Sequence, residues 1–310
     1  MPKPFVQQEF TFTNPDGSSF KVLGWGDQHY AVFETLDGYT LTRNAANGYF
    51  EYAELSPDKN SLISTGVRAE DAAHLPPSIP RHLRVRRASA KSTALRARGE
   101  LAGRTRWEIR REERRAVSLR AAAAAAEAAP PTEHTVGNYV GLCLLVQFPD
   151  VGGTIHQQEV TKFCNQKGYR GYGNNGSVYD YYFDNSDGKL RYTNTVTAYY
   201  TAKHKRAHYT DRTIRYGSRA RELIVEALDN LKSQGFDFAQ LSSDGGGYVH
   251  ALNVFYAGAA VNNWAEGLWP HSSSLGSAYQ AASGKRLFDY QITNMGNQLT
   301  LGTFCHENGH

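Results

Sequence analysis

Cysteine is scarce in this chain. Cys143, Cys164 and Cys305 are the only three among 310 residues, an odd set without a close pairing motif, so no disulfide framework follows from them and the redox compartment stays open. Long apolar runs are missing as well. No stretch approaches 18 consecutive apolar residues, which argues against a membrane span. The opening "MPKPFVQQEFTFTNPDG" has no apolar core of the secretory type, so the sequence as written shows no export address.

What is present describes a globular chain. Hydrophobic residues make up 40% and charged residues 21%, ordinary usage that excludes wholesale disorder, and the length suits one large or two ordinary domains. Tyrosine is the outlier, with 19 copies. The formal charge of +4 conceals a strong asymmetry. Between positions 81 and 120, 13 arginines and Lys91 face only Glu100, Glu108, Glu112 and Glu113, a local balance of +10 that leaves −6 on the remainder. A basic block inside an acidic protein marks a separate segment, so the average charge is not nucleic-acid affinity. Only Trp107 interrupts it, and nothing aromatic is interleaved to stack on bases.

The turn chemistry divides the chain into three regions. Residues 1–80 read as a compact, β-rich antiparallel domain, with short strands on either side of Asn-Pro-Asp-Gly, Asp-Gly and Asn-Gly turns. Residues 81–136 read as an Arg/Ala-rich linker, helical or disordered, closed by Pro130 and Pro131. Residues 137–310 read as a second domain. There "YVGLCLLVQFPD" is a buried strand, "HQQEVTKFCNQ" a short helix, and "DRTIRYGSRARELIVEALDNLKSQ" a longer helix with Gly235 as its C-terminal cap. "YVHALNVFYAG" and "KRLFDYQIT" read as strands, and "NQLTLGTFCHENGH" starts a last helix. The fold class expected is α+β.

That last segment carries H-E-x-x-H at His306, Glu307 and His310. On a helix, positions i and i+4 share a face, so two imidazoles can converge on one Zn²⁺ with Glu307 placed beside it as a general base. The pattern is short enough to recur by chance, and its context has to carry it. The apolar "LTLGTF" before it suits a buried helix face. Asn308 and Gly309 oppose a helix, Gly309 by about 1 kcal/mol relative to alanine. A catalytic zinc needs three protein ligands and an open position. The upstream candidates for the third are His250, His271, Asp289 and the His204/His208 pair, whose "HKRAH" spacing sits in a basic stretch that reads as solvated surface.

Taken together, "VGLCLLVQFPD", "FCNQKGYRGYGNNGSVYDYYFDNSDGKLRYTNTVTAYYTA", "ALNVFYAG", "WAEGLWPHS" and "LGTFCHENGH" resemble the secreted zinc metalloproteases typified by immune inhibitor A, and "FETLDGYTL" is similar to their propeptide region. The likeness spans most of the chain except the Arg/Ala segment. It implies a zincin scaffold, His306 and His310 as zinc ligands, Glu307 as catalytic base, protein or peptide substrates, a propeptide ahead of the linker, and secretion. It also implies a third ligand just beyond the second histidine, so a chain ending at His310 is expected to be C-terminally truncated, to bind zinc weakly and to cleave negligibly. In that architecture a strand edge above the cleft takes the substrate as an added strand, with "KRLFDYQIT" and "KLRYTNTVTAYYT" as candidates. Ca²⁺ is a weak candidate at 242–250, because "SSDGGGYVH" offers one carboxylate where calcium wants six to eight oxygens.

Two further expectations concern activation. No cysteine precedes Cys143, so masking of the zinc by residues 1–130 would fall to a carboxylate, a histidine or steric cover, with Asp27 and His29 as weak candidates beside their plainer reading as turn residues. The exposed arginines from Arg81 to Arg120 suit activation by a trypsin-like cut. The alternative function is a non-catalytic secreted binding protein on the same scaffold, recognising partners through the tyrosines of "YGNNGSVYDYYFDN". A basic-arm nucleic-acid binder is the weakest reading. Oligomeric state, cysteine pairing and cleavage specificity are not legible.

Overall fold

In a computed structural model the chain is described over residues 5–27, 29–75, 77–101 and 136–308. It is α+β, as its turn and periodicity signals require, and two compact units divide it. The smaller comprises the described residues up to Glu100 together with Asn263–Ala265, and the larger comprises the rest.

The smaller unit is a six-stranded antiparallel meander in chain order: β1 Phe5–Thr13, β2 Ser19–Gly26, β3 Ala31–Glu34, β4 Thr40–Arg43, β5 Phe50–Leu55 and β6 Leu62–Arg68. The Asn-Pro-Asp-Gly turn closes the first hairpin: Gly17 N–H donates to Asn14 O at 3.0 Å and Ser18 N–H to Asp16 Oδ1 at 2.9 Å. Gly17 adopts φ +88°, which only glycine takes at no steric cost. Phe12, Val22, Leu41, Phe50 and Tyr52 form the core. Phe12 packs against Phe33 and Phe50 with ring centroids 4.6 Å apart in each pair, a geometry worth about 0.5–1.5 kcal/mol per pair beyond the buried area. Glu34 is fully buried and is neutralised by Arg84 and by His82, whose Nδ1 lies 2.8 Å from its carboxylate. The chain continues into helix α1, Arg87–Leu101. The remainder of the Arg/Ala segment, with its expected helix or coil from Leu101 to Ala129, lies outside the described residues beyond Leu101.

The larger unit sandwiches a mixed sheet between helices. Its elements are β7 Gly137–Gln147, α2 Gln157–Asn165, α3 Val178–Asn185, β8 Leu190–Thr201, α4 Arg206–Tyr209, α5 Ser218–Ser233, β9 Leu252–Ala257, β10 His271–Gln280, β11 Arg286–Met295 and α6 Leu301–Asn308. Strand order is β10-β11-β9-β7-β8. The neighbours β11, β9, β7 and β8 run parallel, and β10 pairs antiparallel with β11.

The unbroken apolar run in β7 follows from burial on both faces. Leu142, Leu144 and Val146 point into a core shared with Leu223, Ile224, Ala227 and Leu228 of α5. Cys143 and Leu145 point the other way, into a core shared with Val160 and Phe163 of α2 and Phe304 and Cys305 of α6. Each fully buried leucine contributes roughly 1.5–3 kcal/mol. Helix α5 starts later than its periodicity suggests: residues 211–217 form a turn ending in Gly217 at φ +81°, and Gly235, at φ +74°, follows the helix C-terminus as expected. Strand β10 was not anticipated from the sequence, since "HSSSLGSAYQ" has neither alternation nor β-branched residues. Among the described residues no helix is long and apolar enough to cross a membrane.

Candidate active site

Helix α6 carries His306 and Glu307, and its position is set by contacts remote in sequence. Asn174 caps its start: its Oδ1 accepts from Leu301 N–H at 2.9 Å while its Nδ2 donates to Leu299 O at 2.7 Å. Phe304 is fully buried, stacked on Phe255 at 5.4 Å and edge-on to Phe163 at 5.8 Å. The Tyr182 hydroxyl donates to Cys305 O at 3.2 Å.

The last described turn is held by a buried amide network. Asn308 Nδ2 donates to Asn253 Oδ1 at 2.6 Å, and Gln291 Nε2 donates to the same oxygen at 3.2 Å. Asn253, fully buried on β9, donates in turn to Tyr192 Oη and Asn194 Oδ1, both at 2.8 Å. Gly141 makes room for this network, because a Cβ there would lie 2.7 Å from Tyr192 Oη and 2.9 Å from Asn194 Oδ1. Burial pushes the Tyr192 phenol well above its usual range, against the opposing hydrogen bonds from Asn253 and Asn308. Asn308, a poor helix former on propensity, is therefore held in the helix by tertiary bonds that fix the rotation of α6 about its axis.

With that rotation fixed, Glu307 is buried and His306 half-buried. Glu307 and Asn308 line a cavity of about 80 Å³ with His250, Ser272, Ser273, Asp289, Tyr290 and Gln291 among its walls. Its two serines come from the antiparallel edge strand β10. Nearby, the Tyr216 phenol is pushed far up, first by burial and then by the neighbouring Tyr290 and the Glu307 carboxylate. Of the consecutive residues His306 and Glu307 it is Glu307 that lines the cavity, where His250 and Asp289 offer an imidazole and a carboxylate of the kinds zinc binds.

The structure places the other candidates differently. His250 and Asp289 reach the Glu307 cavity. His271 is a core histidine: Nδ1 lies 2.7 Å from Trp269 O and therefore donates, and Nε2 lies 2.9 Å from Tyr290 Oη. Both ring nitrogens are used within the fold. His310 lies outside the described residues. Among the described residues no group of three His, Cys, Asp or Glu ligand atoms within 4.8 Å of one another includes His306.

His204 and His208 are not the solvated pair their basic surroundings suggest. His204 is exposed, but His208 is half-buried and bonded to Glu222 and Arg219. In the 242–250 loop Asp244 Oδ1 accepts from Gly246 N–H at 2.9 Å and Tyr248 N–H at 3.0 Å, an Asx turn in which this carboxylate oxygen already has two donors. Asp27 acts likewise, accepting from His29 N–H at 2.8 Å and Tyr30 N–H at 3.0 Å, which is the turn role. Of the two suggested substrate edges, "KLRYTNTVTAYYT" is edge strand β8, whereas "KRLFDYQIT" is β11, interior between β10 and β9.

Sequence reasoning missed Asn174, Asn253 and β10. Asn174 stood inside a stretch that carried the family resemblance, but a cap that acts across 127 positions leaves no local signal. The chain matches no family model and no curated protein.

Proposed function

We propose that the chain is the precursor of a zinc-dependent endopeptidase of the immune inhibitor A type, with His306 and His310 as metal ligands and Glu307 as general base. The observation that carries this reading is the burial of Glu307 against a small cavity that Asp289 and His250 also line and that an antiparallel edge strand borders. A bound zinc supplies Lewis acidity to the water and to the scissile carbonyl. Glu307 takes the proton of the attacking water and returns it to the leaving amine. The Tyr216 hydroxyl, kept neutral by burial and then by Tyr290 and Glu307, is spent on Trp269 O at 3.2 Å and takes no part in the proton transfer. Edge strand β10 takes an extended peptide by strand addition, which recognises main chain rather than side chains and suits broad protein substrates. The smaller unit and the basic segment act as propeptide and linker, and the exported location belongs to the same reading.

The test compares wild type with Glu307→Gln on casein over long incubation with zinc. At most trace cleavage by the wild type, and less by Glu307→Gln with zinc still bound, is the expected outcome; cleavage well above a trace that disappears in Glu307→Gln would instead show that Asp289 or His250 completes the ligand set. Equal cleavage by both chains removes the assignment of Glu307. The alternative, a binding protein on the same scaffold, predicts tight partner binding indifferent to Glu307→Gln.

A further inference from the structure

A second cluster of metal-ligating groups lies in the larger unit, with no residue in common with the Glu307 cavity. His208 Nε2 is 2.8 Å from Glu222 Oε1 and also 2.8 Å from Arg219 Nη1, and Arg219 Nη1 is 2.6 Å from Glu222 Oε2. The ligand atoms of His204, His208 and Glu222 all fall within 4.8 Å of one another, and the two imidazole rings are 4.2 Å apart.

Proton counting shows that these contacts are not satisfied by protein groups alone. A guanidinium only donates and a carboxylate only accepts. If His208 Nε2 accepts from Arg219, its lone pair faces the lone pairs of Oε1; if it carries a proton for Oε1, it faces an N–H of Arg219. One ring nitrogen cannot serve both. A cation seated between Nε2 and Oε1 removes the conflict, and two ligands bonded at about 2.0–2.2 Å to one tetrahedral ion stand roughly 3.3–3.6 Å apart, so the two groups need to part by about half an ångström to admit it. Arg219 then keeps Oε2 and aims Oε1. Its own Nε is buried with no hydrogen-bond partner, so the guanidinium is held there despite an unmet donor.

The frame behind the cluster is rigid. Glu226, one turn after Glu222 on the same face of α5, is buried and accepts from Tyr209 Oη at 2.9 and 3.0 Å, from Tyr200 Oη at 3.3 Å and from Lys203 N–H at 3.3 Å. Tyr209 Oη in turn accepts from His204 N–H at 3.3 Å. The loop bearing His204 and the short α4 bearing His208 are thus pinned to α5 before any ion arrives, which lowers the ordering cost of binding.

We infer that His204, His208 and Glu222 form a second metal site, a clip of α4 and its preceding loop to the first turns of α5. Two imidazole nitrogens and one carboxylate oxygen select a borderline divalent ion of the zinc class over calcium or magnesium, which want oxygen donors. The fourth position is left to water. Arg219 on one side and Asp211 on the other act on the cluster with opposite sign, and Lys203, Lys205 and Arg206 flank its histidines in sequence, so the cationic surroundings restrain the affinity. The site does not depend on the peptidase reading.

The experiment uses the full chain carrying His306→Ala and His310→Ala, so that the proposed catalytic pair contributes nothing, with Zn²⁺ alone as the probe. Equilibrium dialysis is expected to find one zinc per chain, and zinc is expected to raise the melting temperature. Adding His204→Ala, an exposed position whose loss leaves the zinc-free circular dichroism unchanged, weakens binding by more than the roughly 10- to 100-fold that loss of an outer partner costs, and the thermal shift disappears. Glu222→Gln repeats the loss. No zinc in the His306→Ala/His310→Ala chain, or zinc retained after His204→Ala and Glu222→Gln, overturns the site.

Discussion

Three buried or half-buried acids behave differently because of what surrounds them. Glu34 is matched by Arg84 and His82, Glu226 by three donors, and Glu51 by an amide and hydroxyl cage. Burial would raise the Glu51 carboxyl, but hydrogen bonds from Asn47, Ser64 and Asn44, with Arg68 nearby, hold it below its ordinary value of 4.5. Its ionised form is therefore favoured in the folded state, and the stabilisation is complete above pH 4.5 and is lost as pH falls through the lower folded value. Acid titration of the smaller unit, followed by tyrosine fluorescence, should show wild type losing stability more steeply below pH 4.5 than Glu51→Gln. Parallel curves for the two would place the acid sensitivity elsewhere. The three thiols illustrate the reverse: Cys143, Cys164 and Cys305 are free and buried, and burial, with a hydrogen bond that the Cys164 thiol donates to Cys143, pushes Cys164 far up. They are core packing groups, which explains why their spacing carried no pairing signal.

At the level of elements, α6 has too little propensity to stand alone. Eight residues containing Gly302, Thr303 and Asn308 are below the length at which an isolated helix persists. Tertiary contacts supply what is missing: Asn174 at the start, Phe304 in the middle, and Asn253 beneath the end. Asn174→Ala removes the cap and strands a carbonyl, at a cost of about 1–2 kcal/mol. Urea unfolding should record that loss, and zinc affinity at His306 should fall with it; a stability unchanged by the substitution would show that the cap is not what starts the helix. The strong helix and strand signals, α5, β7, β9 and β11, were legible because their apolar spacing is enforced by the two cores they separate. The Glu307 position was legible because H-E-x-x-H is a local pattern. The cavity around it was not, since β10 is serine-rich and the walls come from three separate strands, a loop and a helix.

For the whole molecule, an α+β architecture followed from composition and turn chemistry, and the unmatched chain leaves function to be argued from residues. The maturation proposal concerns the basic segment. Arg84 is tied to Glu34, and Arg87 begins α1, so a trypsin-like enzyme is expected to cut beyond them but before Arg120. Limited trypsin digestion with N-terminal sequencing should return new termini within that interval. Termini confined to other parts of the chain would contradict a propeptide separated by a cleavable linker.

The proposal that His306 holds zinc beside Glu307 stands or falls with the amount of metal the chain binds. In a chain carrying His204→Ala and His208→Ala, which silences the second cluster, zinc per chain is measured by equilibrium dialysis and elemental analysis, with and without His306→Ala or Glu307→Gln. One weakly bound zinc, lost in His306→Ala and kept in Glu307→Gln, is the expected result. Zinc content indifferent to His306→Ala would contradict it.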